Sequence, residues 1–245
     1  MSSLATTTSS SISSVKLSRK NLVQSLQNGD RLTREEYLRR YESMPEVKGA
    51  ERIDGVVYLP SPVHLDYHSE PHSDILWLLV HYKIHTPGVR TGDNATIHLD
   101  TDNDPQPDAF LFIKPKCGGQ ASVNEKHYLV GAPELIPEIA ASSVNYDLHD
   151  KLNAYRRNGV REYIVWRVLD EDLDWFILEE GQYIKVEPDE SGNYRSSVFP
   201  GLWLNVKALL ERDLAAVLKT LNNGLEDPAH AEFVSSLKKA GDEAN

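Results

Sequence analysis

Cysteine is almost absent from this 245-residue chain: Cys117 is the only one. A single thiol excludes an internal disulfide and any zinc site built on several cysteines, and it fits a reducing, cytoplasmic setting. Long apolar runs are missing too. The longest, "ILWLLV" (Ile75 to Val80), falls far short of the roughly 18 to 20 residues that span a bilayer, and His81 and Lys83 follow it closely. No membrane span is expected. Positive charge is scarce, with 26 Lys and Arg against 37 Asp and Glu and a net charge of −11. That balance argues against a broad, nonspecific embrace of nucleic acid, which draws on Lys and Arg, while leaving room for a local basic patch. The chain carries no Gly-rich phosphate loop, no G-x-S-x-G elbow, no dinucleotide fingerprint and no internal repeat.

What is present reads as one globular domain with tails. The composition, 40% hydrophobic and 26% charged, is that of an ordinary soluble protein of this length. The Ser/Thr-rich stretch at 1–15 lacks an apolar core and a cleavage pattern, so it reads as a disordered tail rather than a secretory signal. The single domain is placed at 16–221 and a polar C-terminal tail at 222–245. Three basic islands interrupt the acidic chain: "KLSRK" (Lys16 to Lys20), "RLTREEYLRR" (Arg31 to Arg40) and "YRRNGVR" (Tyr155 to Arg161). Each one alone is more readily a solvated helix face.

Local signals predict the elements. Thr33 with Glu36 three residues on starts a short helix. Asp54-Gly55 between Ile53 and Val56 predicts a hairpin. Pro71 opens a helix to His85, with Ile75, Leu76, Leu79 and Tyr82 at helical spacing. Short strands are expected near Ala95 to Leu99 and Ala109 to Ile113. A strand from Leu135 to Ser142 leads into a helix from about Tyr146 to Arg157, stopped at Asn158-Gly159. "EYIVWRVL", "LDWFIL" and "QYIKVE" read as successive strands, and "NVKALLERDLAAVLKTL" as one amphipathic helix. The order predicts an α/β (α+β) fold, a mixed sheet with helices on its faces.

Glu138 is the anomaly. It sits among Leu135, Ile136, Ile139 and Ala140 in "PELIPEIAASS", and a carboxylate on an apolar strand must be paired, protonated or bound to a cation. Asp108 of "PQPDAFLFI" is the candidate partner, at the entry to another apolar strand. Two carboxylates on neighbouring strands make an oxygen-rich pocket suited to Mg²⁺ or Mn²⁺. Lys151, on the helix that leaves the Glu138 strand, has the reach to return to that pocket, where an ammonium would orient water or offset charge on a phosphate. The plainer alternative is an exposed i,i+4 pair with Asp147.

The run "QPDAFLFI…GAPELIPEIAASSVNYDLHDKLNAYRRNGVREYIVW", with the "ERIDGVVYLPSP" hairpin before it, resembles a bacterial family of restriction-endonuclease-like proteins in the PD-(D/E)XK nuclease superfamily. The resemblance covers roughly Tyr41 to Val206. It implies a restriction-endonuclease-like sheet flanked by helices and a metal-dependent nuclease site, with Asp108, Glu138 and Lys151 as catalytic residues, Asp108 and Glu138 as ligands to Mg²⁺ (or Mn²⁺), and Glu51 as an additional ligand. One position departs from the superfamily pattern. The Lys expected two residues after the acid is Ala140 here, so the resemblance requires Lys151 to supply the amine from the helix.

The remaining candidates follow from that frame. His64, His68 and His72 recur at intervals of four, but Pro71 breaks the helix a shared metal would need, so His68 and His72 are expected as walls of the site. Arg156, Arg157 and Arg161 are candidates for meeting a nucleic-acid backbone. The partner expected is nucleic acid, DNA in the first place, and the apolar strands with the C-terminal amphipathic helix suggest a homodimer. A second function class, a catalytically inactive nuclease fold serving as a binding or assembly module, is favoured by the acidic charge and by Ala140.

Overall fold

The computed structural model of the protein describes residues 23–244. The expected 1–15 tail and the "KLSRK" island lie outside them. Thr33 begins the first helix, its hydroxyl accepting from the Glu36 amide, and the helix α1 runs Arg34–Glu42. The Asp54-Gly55 turn joins β1 (Glu51–Ile53) to β2 (Val56–Tyr58). A π-helical turn at Leu65–Ser69 then feeds α2 (Glu70–His85), which carries Pro71 in its first turn, where a missing N–H costs nothing.

The strands β3 (Val89–Gly92), β4 (Ile97–His98), β5 (Phe110–Ile113), β6 (Ser122–Val123), β7 (Leu129–Val130) and β8 (Leu135–Ala140) come next. After β8 the chain turns into α3 (Val144–Tyr146), a second π-helical turn (Asp147–Lys151) and α4 (Leu152–Asn158). Gly159, at φ 81°, ends that helix as the left-handed cap the sequence predicts. A meander of β9 (Glu162–Arg167), β10 (Asp172–Glu179) and β11 (Gln182–Val186) follows, then the pair β12 (Asn193–Arg195) and β13 (Trp203–Asn205).

Six strands form the central sheet in the order β11-β10-β9-β8-β5-β3. β8 and β9 run parallel, with Glu138 opposite Val165, and every other neighbouring pair is antiparallel. The helical connection between β8 and β9 is what a parallel pair demands. Alternation along β8 divides the core into two. Leu135 and Ile139 face one side with Ile75, Leu79 and Tyr82 of α2 and with Trp166 and Trp175. Ile136 and Ala140 face the other with Tyr155, Val160 and Tyr163. Each large apolar side chain so buried contributes on the order of 1.5–3 kcal/mol, which is why the sheet can tolerate charged groups at its middle.

The structure corrects the C-terminal expectations. The single amphipathic helix is two, α5 (Val206–Leu210) and α6 (Leu214–Leu225), broken at Arg212 with φ 60° and restarted by the Asp213 side chain accepting from the Ala216 amide. Residues 228–243 form a further helix, α7 (Pro228–Glu243), rather than a polar tail. Asp227 caps it, Pro228 opens it, and it buries His230, Leu237 and Gly241 on a stripe too narrow to stand out in a polar composition. Gly224 lets α6 approach the Gly201 carbonyl; a Cβ there would come within 2.3 Å of that oxygen. Of the apolar residues on which a homodimer was expected, Trp166, Trp175, Val217 and Leu221 are buried within the chain's own core. Among the described residues no helix is long and apolar enough to cross a membrane.

Candidate active site

The register of β5 against β8 sets the site. Leu111 pairs with Leu135, and that antiparallel register, continued three residues, places Asp108 opposite Glu138. The Asp108 amide lies 3.3 Å from Glu138 Oε2, and the Ile139 amide donates to Asp108 Oδ2 at 2.7 Å. Like charges directly opposite on a sheet are destabilising. Glu138 is 3% exposed, so solvent does not relieve the repulsion.

Relief comes from the helix. Asp147, Lys151 and Tyr155 recur every four residues and so share one helical face. Lys151 Nζ sits 2.9 Å from Glu138 Oε1, 3.1 Å from Glu51 Oε2 and 3.6 Å from Asp147 Oδ1. The Tyr155 hydroxyl donates to the same Glu138 oxygen at 2.7 Å. Ser143 donates to Asp147 Oδ2 at 2.6 Å, and Gln106 N donates to Glu51 Oε1 at 2.7 Å. Tyr146 completes the wall, its ring 5.3 Å beneath the ammonium and its hydroxyl 3.4 Å from Glu51. π-Helical turns concentrate at functional sites, and here one carries Asp147 and Lys151 while the other carries His68.

The departure at Ala140 has a geometric resolution. Residues 138 and 140 point to the same face of β8, and α4 covers that face. An amine delivered by the helix therefore enters from the side to which residue 140 points. Ala140 itself is fully buried and packed.

Both histidines reach Asp108. His68 Nε2 is 3.1 Å from Asp108 Oδ1, and His72 Nε2 is 2.7 Å from the Asp108 carbonyl. The arginines are not brought in. Arg156 donates to the Gly181 carbonyl, Arg157 pairs with Asp54, and neither they nor Arg161 line the cleft over the carboxylates. That cleft has a volume of about 840 Å³ and is walled by Asp108, Glu138, Glu51, Lys151 and the segment around Pro62 to His68.

Electrostatics here is a contest between burial and pairing. Burial pushes Glu138 well above the ordinary carboxylate range, Lys151 opposes this, and the neighbouring Asp108, Asp147 and Glu51 push it further up. Burial likewise raises Glu51 and Asp147 against the pull of Lys151. Burial would raise Asp108 too, but the His68 contact, the Lys151 charge and the Ile139 amide outweigh it and hold it below the usual range. Burial works against the Lys151 charge, yet Glu138 and Glu51 outweigh it and keep the amine an ammonium. His68 is raised, chiefly by its bond to Asp108.

Four carboxylates thus face one lysine and one histidine. Among the described residues no three His, Cys, Asp or Glu side chains converge as a ready-made metal cage. Mg²⁺ does not need one, since it commonly binds through one or two carboxylates with water and substrate phosphate filling the remaining positions. The hard oxygen donors of Asp108 and Glu138, with Glu51 nearby, fit that chemistry and not that of a closed zinc site.

Asp147, Tyr146 and Tyr155 belong to the cluster and were not singled out from sequence as site residues. The readable signal for two of them is the four-residue recurrence of Asp147, Lys151 and Tyr155, which an ordinary solvated helix face also produces.

Comparison with known proteins agrees with this architecture. The family model Uma2, described as "putative restriction endonuclease", matches residues 34–207. The crystal structure of a "putative nuclease belonging to DUF820" from Anabaena variabilis superposes with a TM-score of 0.54 at 16% identity, covering 71% of this chain and 97% of that one. At that identity the likeness speaks to the fold, a restriction-endonuclease-like mixed sheet flanked by helices. No functionally curated protein matches. The matched span takes in the hairpin, Asp108 at the entry to β5, Glu138 on β8 and the helical turn that carries Lys151, and by it the chain belongs to the Uma2 family.

Proposed function

We propose that this chain is a nuclease that hydrolyses phosphodiester bonds, with DNA as substrate and a divalent cation, Mg²⁺ or Mn²⁺, held by Asp108 and Glu138 with Glu51 close by. The observation that carries the reading is Asp108, at the entry to β5, set against Glu138 of β8, with the Lys151 ammonium 2.9 Å from Glu138. When bound, the cation supplies Lewis acidity toward a phosphodiester oxygen and lowers the pKa of coordinated water. The chain's own residues do the rest. Lys151, kept protonated by its acids, offsets the charge that develops on phosphate oxygens rather than taking a proton. Tyr155 and Asp147 fix the positions of Glu138 and the amine. His68 and His72 hold the Asp108 side chain and carbonyl from the rim.

The test is cleavage of supercoiled plasmid and of an oligonucleotide at low salt in Mg²⁺ or Mn²⁺, comparing wild type with Asp108→Ala, Glu138→Ala and Lys151→Ala. Cation-dependent cleavage lost in all three variants, with the fold retained, is the expected result. A second reading, the silent nuclease fold used for binding, draws on Lys151 itself, because an amine already bonded to Glu138 and Glu51 neutralises two of the acids a cation would meet. Thermal unfolding separates the two. A competent site raises Tm with added Mn²⁺ by mass action, whereas no shift and no cleavage by the folded wild type would favour the silent module.

A further inference from the structure

The cleft over the carboxylates is rich in aromatic side chains and poor in cations. Four tyrosines line it, Tyr41, Tyr58, Tyr67 and Tyr146, and the Tyr58 and Tyr146 rings lie 4.3 Å apart. Of its Lys and Arg residues among the described part of the chain, Lys151 is committed to Glu51 and Glu138, which leaves Lys48 alone. A groove that grips an intact duplex does so through many phosphate contacts made by Lys and Arg. Tyr58 packs on Tyr146 and Tyr41 on Tyr37, so the exposed ring this cleft offers instead is Tyr67.

The rim adds to the contrast. Between Pro60 and His68 the chain forms a strap that lines the cleft through Pro60 to His64, Tyr67 and His68, and three of its side chains are held in water: Val63 is 64% exposed, Leu65, beside the lining, 70% and Tyr67 50%. The strap is anchored at both ends. The Leu59 amide donates to Asn28 Oδ1 at 2.7 Å, and His68, the residue after Tyr67, lies 3.1 Å from Asp108 Oδ1. Pro60 and Pro62 stiffen the span between. The strap thus displays three apolar side chains within five residues beside the cleft.

We propose that the occupant of this surface is nucleic acid with unstacked bases, a single strand rather than intact duplex, with Tyr67 as a base-stacking platform and Leu65 and Val63 as an apolar wedge that holds neighbouring bases apart. Stacking on an aromatic side chain adds about 1–3 kcal/mol per base to single-strand binding and is closed to a duplex, whose bases are stacked on one another, and apolar side chains inserted between base steps hold them apart. A second copy of this chain is the weaker fit. Tyr67 buries at most about 150–250 Å², and with the smaller Val63 and Leu65 it falls short of the ~800 Å² per partner that a stable interface covers. The inference rests on the nuclease reading, since it gives that site its substrate class.

The experiment is fluorescence anisotropy of a labelled single strand and of a duplex of equal length, with Ca²⁺ in place of Mg²⁺ to hold back cleavage. It compares wild type, Tyr67→Ala, Tyr67→Phe and Leu65→Ser, with unfolding curves confirming that each variant folds. The expected result is single-strand binding about tenfold or more tighter than duplex binding by wild type. Tyr67→Ala should lose that preference through a single-strand affinity weakened about tenfold, and Tyr67→Phe should keep it. Duplex binding equal to or tighter than single-strand binding, or a preference unchanged in Tyr67→Ala, overturns the inference while leaving the nuclease reading intact. A wild-type dimer that Tyr67→Ala converts to monomer, with oligonucleotide affinity unchanged, overturns it in favour of a protein interface. Binding of neither oligonucleotide by wild type defeats the nuclease reading and the inference with it.

Discussion

Lys151 and Glu138 are 13 residues apart in the chain and 2.9 Å apart in the fold. Around that bond stand Glu51, Asp147 and Asp108, so the ammonium is the main counter-charge of a buried acidic cluster. Breaking a buried pair by removing one partner costs about 3–5 kcal/mol, because the other charge is left uncompensated. Lys151→Met should lower stability by an amount of that order in urea unfolding, and saturating Mn²⁺ should restore part of it. Glu138→Gln should cost less, since it removes one of several mutually repelling acids, and the double variant less than the sum of the singles. A Lys151→Met protein with wild-type stability would mean the cluster carries protons in place of charge.

Ala140 explains why the amine comes from a helix. It is fully buried in the apolar cluster that also holds Ile136, Tyr155, Tyr163 and Val165, where four methylenes and an ammonium would overpack the core. Ala140→Lys, which restores the residue expected two positions after the acid, should destabilise by more than about 3 kcal/mol through overpacking and an extra buried charge. Melting of the variant decides the point. A stable Ala140→Lys protein that cleaves faster than wild type would show that the second core is looser than its packing indicates.

The β8-to-α4 unit was the most legible part of this chain, and for physical reasons. Glu138 stands out because its neighbours are apolar, and Asn158-Gly159 stops a helix by a local requirement for positive φ. The opposition of Asp108 and Glu138 is only an expectation in the sequence, because pairing between residues 30 apart is not a local property. Two-residue strands such as Ile97–His98 are too short for any periodicity. The Arg156, Arg157 and Arg161 island read as a nucleic-acid contact from charge alone, whereas Arg156 and Arg157 have partners elsewhere in the fold. Helix α7 was lost for the opposite reason, its buried stripe being diluted by Glu, Ser and Lys.

Arg52 and Arg157 offer a controlled contrast. Both pair with aspartates on or near the β1–β2 hairpin, yet Arg52 is fully buried and bonds Asp104 at 2.6 and 2.8 Å, while Arg157 meets Asp54 in solvent. Asp104 also takes Arg34 and His98 at 2.6 Å, so the network ties the hairpin that presents Glu51 to the start of α1 and to β4. Arg52→Met should cost about 3–5 kcal/mol by stranding part of that charge, and Arg157→Ala no more than about 1 kcal/mol. Chemical denaturation of both variants checks this; equal costs would show that the buried network is not bracing the hairpin.

His230 sets a pH dependence far from the cleft. It lies buried between α7 and the end of α2, Nε2 3.0 Å from the Thr86 hydroxyl and Nδ1 3.1 Å from the Leu225 carbonyl. Burial pushes its pKa below the ordinary 6.5, with the Leu225 carbonyl opposing and His85 reinforcing. Between the folded value and 6.5 the unfolded chain therefore binds more protons than the native one, so stability rises with pH through that window. The contribution is complete above 6.5 and is lost as pH falls through the folded value. His68, raised by Asp108, contributes a slope of the opposite sign, so the comparison must be between variants rather than within wild type. His230→Gln should lose less stability than wild type on going from pH 7.5 to about 5.5. Parallel wild-type and variant profiles over that range would place the His230 titration outside the folding equilibrium.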